Sequence, residues 1–568
     1  VILPTRELVR LVTRAVQAAQ QSGDLPTFEI PDIEIRPPKR PDQGDLGTGI
    51  AMQLKKFTGS ERPPNEIAEI IVRHMPSADF VSGVEVINGY INFRLNEDWL
   101  RTCVNEIIAR GDQLYALDIG AGKRAQVEFV SANPTGPLTV GRSRGGVLGD
   151  AIARILEAAG YAVEREYYFN NAGAQMEHLG NSLRIRYVEA LGLPVEIPGE
   201  KDKTFYQGEY LRDIAKQLVA EQGEALKEAD WKPFKEYAEQ KMFAMIRASL
   251  DRINIHHDVF FNENSLYDSG AVWETLEELK KRGCIYSGPY REGADEGERL
   301  KARDLPPAQW FRSTQFGDHE DRVLVKSDGS PTYTLPDIAY HVNKLERDFD
   351  LLVNILGADH LIEHQVVKYA IRALGMDVSR IRVIIMQFVT IKGGRMSTRK
   401  GEYVMLDEVV DQTGSDVVRY MLLARSPNSG LDFDLDLALK QSNENPVFYI
   451  QNAHVRCAGI AREAEARGIS DEGADLSLLG QPELTFLRKA LELGEVIEQA
   501  ALNLEPHKLA FYAQDLASIF HPIYDSVRAL HGEVPPEVAK ARLRFYRAAQ
   551  VVFKRVLTLM GMSAPERM

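Results

Sequence analysis

Residues 125–169 constrain the fold more tightly than any other stretch of the chain. AQVEFV (125–130) reads as a strand. SANPTGPLTVGRSRGG (131–146) reads as a Pro/Gly-rich loop. GVLGDAIARILEAAG (146–160) reads as a helix with Val147, Leu148, Ile152, Ile155 and Leu156 on one face and Gly160 at its end. YAVEREYYF (161–169) then returns to strand character. This succession is a βαβ unit, the building block of a doubly wound parallel sheet. A second such half follows: FDLLVNILGADH as strand and loop, HQVVKYAIRALGM as helix, and RIRVIIMQFVTI as one buried strand. The expected class is α/β.

The flanks differ from this centre. Helical spacing covers residues 5–21 and Asn65 to His74, and residues 84–95 alternate as a strand pair turning at Gly89. From about Asn445 apolar residues recur every three or four positions, which predicts a helix bundle. The expected domains are a small α+β unit over 1–118, a parallel-sheet domain over 119–440 with a charged helical insertion at about 174–283, and an all-α domain over 441–568. A chain of 568 residues suits this count.

Composition removes several classes. No run approaches the roughly 20 apolar residues that span a bilayer. The arginines between Arg6 and Arg14 lie on an amphipathic pattern, but Glu7 interrupts them and no small-residue cleavage site follows, so a folded surface helix is expected rather than a transit peptide. Cys103, Cys284 and Cys457 are far apart and form no metal or disulfide pattern. The pairs His256–His257 and His360/His364 have no third ligand nearby and read as structural. A net charge of −14 taken alone argues against a nucleic-acid partner, although a basic stripe can sit on an acidic body.

Three sets of residues carry candidate chemistry. In the loop 131–146, Gly136, Gly141, Gly145 and Gly146 allow close backbone approach, a helix N-terminus follows, and Arg142 and Arg144 add positive charge; together these suit phosphate. GGRMSTRKGEYV (393–404) is a cationic loop after a strand, suited to a departing pyrophosphate. Glu128, Glu263, Tyr333 and Asp337 offer carboxylates and an aromatic ring to a cationic substrate. Singly, these are an ordinary βα turn, a solvated loop and surface acids. Their shared place at one sheet edge favours a site.

Taken together, these stretches resemble the class I aminoacyl-tRNA synthetases, and most closely the arginine-specific family. NPTGPLTVGRSRGG is similar to the family's Asn-Pro-Thr-Gly-x-Leu-His-x-Gly-His motif, and RMSTRKG to its Lys-Met-Ser-Lys/Thr-Arg loop. KSDGSPTYTLPDIAYH resembles its arginine-pocket segment. DQGDLGTGIAMQLKK and GVEVINGYINFRL resemble its N-terminal tRNA-binding domain, and NPVFYIQNAHVR and GMSAPERM its anticodon-binding helices. The resemblance implies a Rossmann-type catalytic sheet. Arginine would be held by Glu128, Ser131, Asn133, Glu263, Tyr333 and Asp337. ATP would be held by Pro134, Gly136, Leu138, Gly145, Gly357, Asp359, His360, Phe388, Val389 and Met396. Catalytic positions would be Thr139, Gly141, Arg142, Arg395, Ser397, Arg399 and Lys400, and Tyr90 with Asn92 would meet tRNA. It further implies ATP with Mg²⁺ and L-arginine as substrates, the cognate arginine tRNA as partner, no tightly bound metal, a cytoplasmic location and a monomer.

Two departures stand out. Thr139 and Arg142 occupy the places of the motif's two histidines, and Arg395 that of the second motif's first lysine. Arginine keeps a permanent charge, and threonine one hydroxyl donor. The lost histidines motivate an alternative, a non-catalytic paralogue that binds arginine or tRNA.

Overall fold

The computed structural model describes residues 2–58, 62–199, 201–289, 307–392, 404–531 and 534–568. The segment at 393–403, and with it Arg395, Met396, Ser397, Arg399 and Lys400, lies outside the described residues, as does the charged run 291–304.

The chain opens with the helix Pro4–Gln21, which buries Leu8, Val12, Ala15, Val16 and Ala19 along one stripe. It packs on the helix Pro64–Arg73, which in turn packs on a three-stranded antiparallel sheet of β1 (Leu46–Thr48), β2 (Val81–Ile87) and β3 (Tyr90–Leu95), with β3 in the middle. The β2–β3 hairpin turns at Asn88–Gly89, both with positive φ, the backbone twist that a tight hairpin requires.

The central domain is built on five parallel strands in the order β11-β10-β4-β5-β6: β4 (Arg124–Glu128), β5 (Ala162–Phe169), β6 (Val259–Asn262), β10 (Leu351–Gly357) and β11 (Ile381–Met386). β4 is central, so the chain leaves toward β5 on one side and returns through β10 on the other. That reversal is the topological switch point where such sheets bind ligands. β7 (Ile285–Gly288), β8 (Ala308–Phe311) and β9 (Arg322–Val325) form a separate antiparallel sheet, and β12 (Val389–Lys392) pairs in parallel with β13 (Leu431–Asp434).

Two expectations change. RIRVIIMQFVTI is two strands, not one: Gln387 and Phe388 break the ladder between β11 and β12, and Gln387 instead donates its N–H to Pro427 O at 3.0 Å. The region 174–283 is also not wholly a helical insertion. After the helices Ala174–Ala190, Glu209–Gln222 and Trp231–Arg252, β6 rejoins the sheet as its edge strand. Four residues are too few to show periodicity.

From Pro446 the described chain is helical, with long helices at Pro446–Ala466, His507–Ser526 and Pro536–Leu559. One apolar core runs through all three regions: Leu8 and Ile67, Val127 and Leu148, and Ile450 and Leu516 belong to it. Polar contacts reinforce the union. Thr5 N donates to Glu495 Oε1 at 3.1 Å, and Arg488 Nε to Asp45 Oδ1 at 2.8 Å.

Candidate active site at the switch point

β4 ends in Glu128, and the next residues are strained. Val130 and Ser131 have φ of +68° and +42°, which costs a β-branched residue and a serine roughly 1–3 kcal/mol each. The strain is held by side chains. Ser131 Oγ donates to Glu128 Oε1 at 2.9 Å and accepts from Tyr168 N at 3.2 Å. Tyr167 Oη donates to Ala132 O at 2.6 Å, and Asn133 Oδ1 accepts from Asn170 N at 3.0 Å. The loop is thus tied to the end of β5.

The helix Val140–Ala158 begins where this loop ends. Thr139 is its N-cap, and its hydroxyl oxygen accepts from Arg142 N at 3.4 Å. The threonine in the histidine's place therefore has a structural duty in the first turn. A Cβ added at Gly141 would meet nothing within 4 Å, so this turn is open. Gly145 and Gly146, expected to admit phosphate, instead admit protein: added Cβ atoms would lie 3.2 Å from Met386 Sδ and 3.1 Å from Val130 Cγ2. At Gly149 the same atom would sit 2.2 Å from Phe129, so this helix rides directly on the strand end.

Arg142 is exposed beside the open turn, whereas Arg144 is fully buried. Arg144 does not add a phosphate-binding charge, as its position in the sequence had suggested. Its Nη1 donates to Gln387 O at 2.8 Å and Ser429 O at 2.9 Å, and its Nη2 to Ser426 O at 3.0 Å. Burial lowers its pKa to about 10, so it stays charged at neutral pH. It anchors the chain just before Phe388, which is 72 % exposed at the edge of the site, and Val389. The chain also returns to the first motif at Val404: Val140 N donates to Val404 O at 3.0 Å, and Leu406 N to Leu138 O at 2.9 Å. Pro134 and Leu138 are buried supports of the loop, and Gly136 lies against Tyr210 Oη. Gly357 ends β10, and Asp359 and His360 are exposed on the turn that follows.

Three of the expected acids converge. Glu128 ends β4, Glu263 follows β6, and Asp337 lies in the first turn of the helix Thr334–Glu346. Burial, reinforced by the negative charges of Glu263, Glu128 and Glu363, pushes Asp337 well above the usual carboxylate range, and Lys344 opposes the shift. Burial also raises Glu263, against the lowering effect of its hydrogen bond from Tyr168. Asn170 Nδ2 donates to Glu263 Oε1 at 2.7 Å. Among the described residues no cation pairs with Glu263 or Asp337. This is a charge arrangement that calls for a cationic ligand. Tyr333 is one turn before Asp337 and 77 % exposed.

Sequence reasoning missed Lys344, Asn354, Tyr168 and Asn170. Lys344 had a signal: it lies seven residues after Asp337, two turns along the same face of one helix. In the N-terminal sheet Tyr90 is 45 % exposed, but Asn92, expected beside it on the surface, is 3 % exposed. Its side chain packs on Gly47, where an added Cβ would lie 2.5 Å from its Oδ1.

Three family descriptions match the chain in succession: the arginyl tRNA synthetase N-terminal domain over residues 6–95, the catalytic domain of tRNA synthetases class I (R) over 103–422, and the DALR anticodon binding domain over 450–568. The arginine–tRNA ligase of Heliobacterium modesticaldum is 39% identical over 581 residues, covering 99% of both chains. That of Carboxydothermus hydrogenoformans is 41% identical over 97% of both. The solved Thermus thermophilus arginyl-tRNA synthetase shares the fold, with a TM-score of 0.75 at 21% identity, covering 99% of this chain and 100% of that one. The full-length likeness and the acidic pocket at the switch point agree, and the chain belongs to the arginyl-tRNA synthetase family.

Proposed function

We propose that the convergence of Glu128, Glu263 and Asp337 beside the open N-terminus of the Val140–Ala158 helix is the arginine and ATP site of an arginine–tRNA ligase. The acids are the observation that carries this reading. A guanidinium has five N–H donors on a rigid fork and can bridge two carboxylates. A neutral amino acid would leave those buried charges unanswered, so selection needs no editing step.

The reaction runs in two steps. The arginine carboxylate attacks the α-phosphorus of ATP, taken as its magnesium complex, and pyrophosphate leaves. The ribose hydroxyl at the tRNA 3′ end then attacks the arginyl carbonyl and displaces AMP. No protein nucleophile is needed. The chain's work is positioning and charge stabilisation. Asn133 and Ser131 orient the α-amino and carboxylate end of arginine. The first turn after Thr139, with Arg142, faces the phosphates. The cationic residues Arg395, Arg399 and Lys400 serve the departing pyrophosphate, with Met396 and Ser397 in the same segment. Gly357, Asp359, His360, Phe388 and Val389 serve the adenosine side.

The three regions, at about 1–118, 119–440 and 441–568, divide the tRNA between them. The first offers Tyr90 to the tRNA body, and the last offers its helices to the anticodon stem and loop. The test is arginine-dependent ATP–pyrophosphate exchange with and without arginine tRNA. Exchange establishes the ligase and shows that Thr139 and Arg142 replace the histidines adequately. Binding of arginine and tRNA without exchange or aminoacylation would instead identify a non-catalytic relative.

A further inference from the structure

We propose that Lys344 is a positioning residue that sets the charge of the arginine pocket: it neutralises Glu128 inside the fold, so that the pocket meets its substrate with two uncompensated carboxylates, Glu263 and Asp337, instead of three. The inference rests on the ligase reading above and deepens it.

Lys344 has no exposed surface. Its Nζ donates to Glu128 Oε2 at 2.5 Å and to Asn354 Oδ1 at 2.8 Å, and lies 4.3 Å from the centre of the Tyr340 ring. Two acceptors and an aromatic face answer the three ammonium protons. The neighbouring groups fix the direction of every bond. His341 Nδ1 lies 2.8 Å from Asp337 O, a carbonyl that only accepts, so Nδ1 carries the proton. His341 Nε2 therefore accepts from Asn354 Nδ2 at 2.7 Å, which turns Asn354 Oδ1 toward Lys344. Every one of these bonds is made with a neutral imidazole, and burial holds His341 down to about 3. Asn354 and Glu128 are direct partners in the register of β10 and β4, so the network is built into the sheet.

The next strand repeats the device. Glu166 on β5 is fully buried and is neutralised by Arg347, whose Nη1 and Nη2 lie 2.6 Å and 3.0 Å from its oxygens. Both buried strand carboxylates thus receive a cation from the end of one helix or the residue just after it. Glu263 and Asp337 receive none among the described residues.

The charged and titratable groups facing Asp337 are Glu128, Glu263, Glu363, Lys344, Tyr168 and Tyr267. Lys344 is the cation among them. Seven residues of helix separate it from Asp337 by about 10 Å, which at an effective dielectric constant of about 20 corresponds to about one pH unit. Guanidinium capture requires Asp337 ionised, so arginine affinity falls as pH drops through its titration.

The experiment is calorimetric titration of arginine against pH, using the full chain and the variants Lys344→Met, Glu128→Gln and the double variant. Lys344→Met moves the acid limb of arginine affinity to higher pH by about one unit, about tenfold in affinity at a fixed pH on the limb. Glu128→Gln moves the limb to lower pH, because Lys344 is left uncompensated. The double variant returns it toward the parent position, whatever its absolute affinity. If Lys344→Met does not fold, the separation between the lowered limb of Glu128→Gln and the parent-like limb of the double variant still carries the test. Coincident limbs, or single variants that shift in the same direction, overturn the proposal. Absence of arginine binding by the parent protein at every pH overturns the ligase reading and this inference together.

Discussion

Arg419 Nη2 lies 2.5 Å from Asp150 Oδ2, and neither side chain reaches solvent. The pair joins the middle of the Val140–Ala158 helix to the helix Ser415–Leu423. The same guanidinium donates to Met560 O at 2.9 Å and to Ile253 O at 2.6 Å. Arg419 is thus a junction for three separate parts of the chain. Its positive charge is one reason that Asp150 titrates below the usual range despite deep burial.

Asp150→Ala leaves the fully buried Arg419 without its carboxylate, at about 3–5 kcal/mol, whereas Arg419→Met leaves Asp150 with Arg154 at 2.8 Å but strips the Met560 and Ile253 carbonyls of their donor. Arg419→Met and Asp150→Ala are each expected to lower the thermal midpoint strongly. Gly561→Ala should do so as well, because Gly561 has a φ of +72° and an added Cβ would lie 1.9 Å from Arg419 Nη2. Differential scanning calorimetry checks all three.

Arg144→Met leaves three carbonyls without their donor and releases the chain before Phe388 and Val389. ATP affinity is expected to fall about fivefold to a hundredfold, a loss of about 1–3 kcal/mol, with arginine affinity little changed. Separate equilibrium titrations of the two substrates check this division.

Thr139→Ala removes the cap of the Val140–Ala158 helix and should cost about 1 kcal/mol of stability. Arg142→Ala touches no core contact and should leave the thermal midpoint unchanged while slowing exchange about tenfold to a hundredfold. Measuring both quantities for both variants separates a structural role from a catalytic one.

Asp337 and Glu263 are raised in the folded protein, so the sign of their linkage is opposite to that of salt-bridged carboxylates. Their contribution to the stability of the ligand-free protein is full below the unfolded carboxylate range and is lost as pH rises through the raised values. On the proposed reading, bound arginine supplies the missing cation. Its stabilising effect should therefore grow as pH rises from the unfolded carboxylate range through the raised titrations of Asp337 and Glu263, and Asp337→Asn should flatten that growth. Thermal shift with and without arginine across this range is the measurement.

The sheet was legible because β4, β5 and β10 are long enough to show a buried strand pattern and the Val140–Ala158 helix a single apolar face. Glu128, Glu263 and Asp337 were legible through the family resemblance. Arg144 was misread because sequence does not show which way an arginine in a glycine-rich helix start points; the glycines beside it make room for neighbouring protein, not for a ligand. Lys344 and Asn354 were invisible for a related reason. They are 10 residues apart in sequence, and only the β10–β4 register brings both to Glu128.

The shared apolar core has a consequence for how such a protein can be taken apart. Val418, Leu422 and Leu423 of the catalytic region pack in the same core as Ile450, Leu516 and Val556 of the helical region. Three successive family descriptions suggest cassettes, but the material between them is continuous. A chain cut near residue 440 would expose a greasy wound on both pieces, and neither would be a natural unit for exchange between enzymes. The C-terminal helices and the catalytic sheet are, physically, joined through one apolar core.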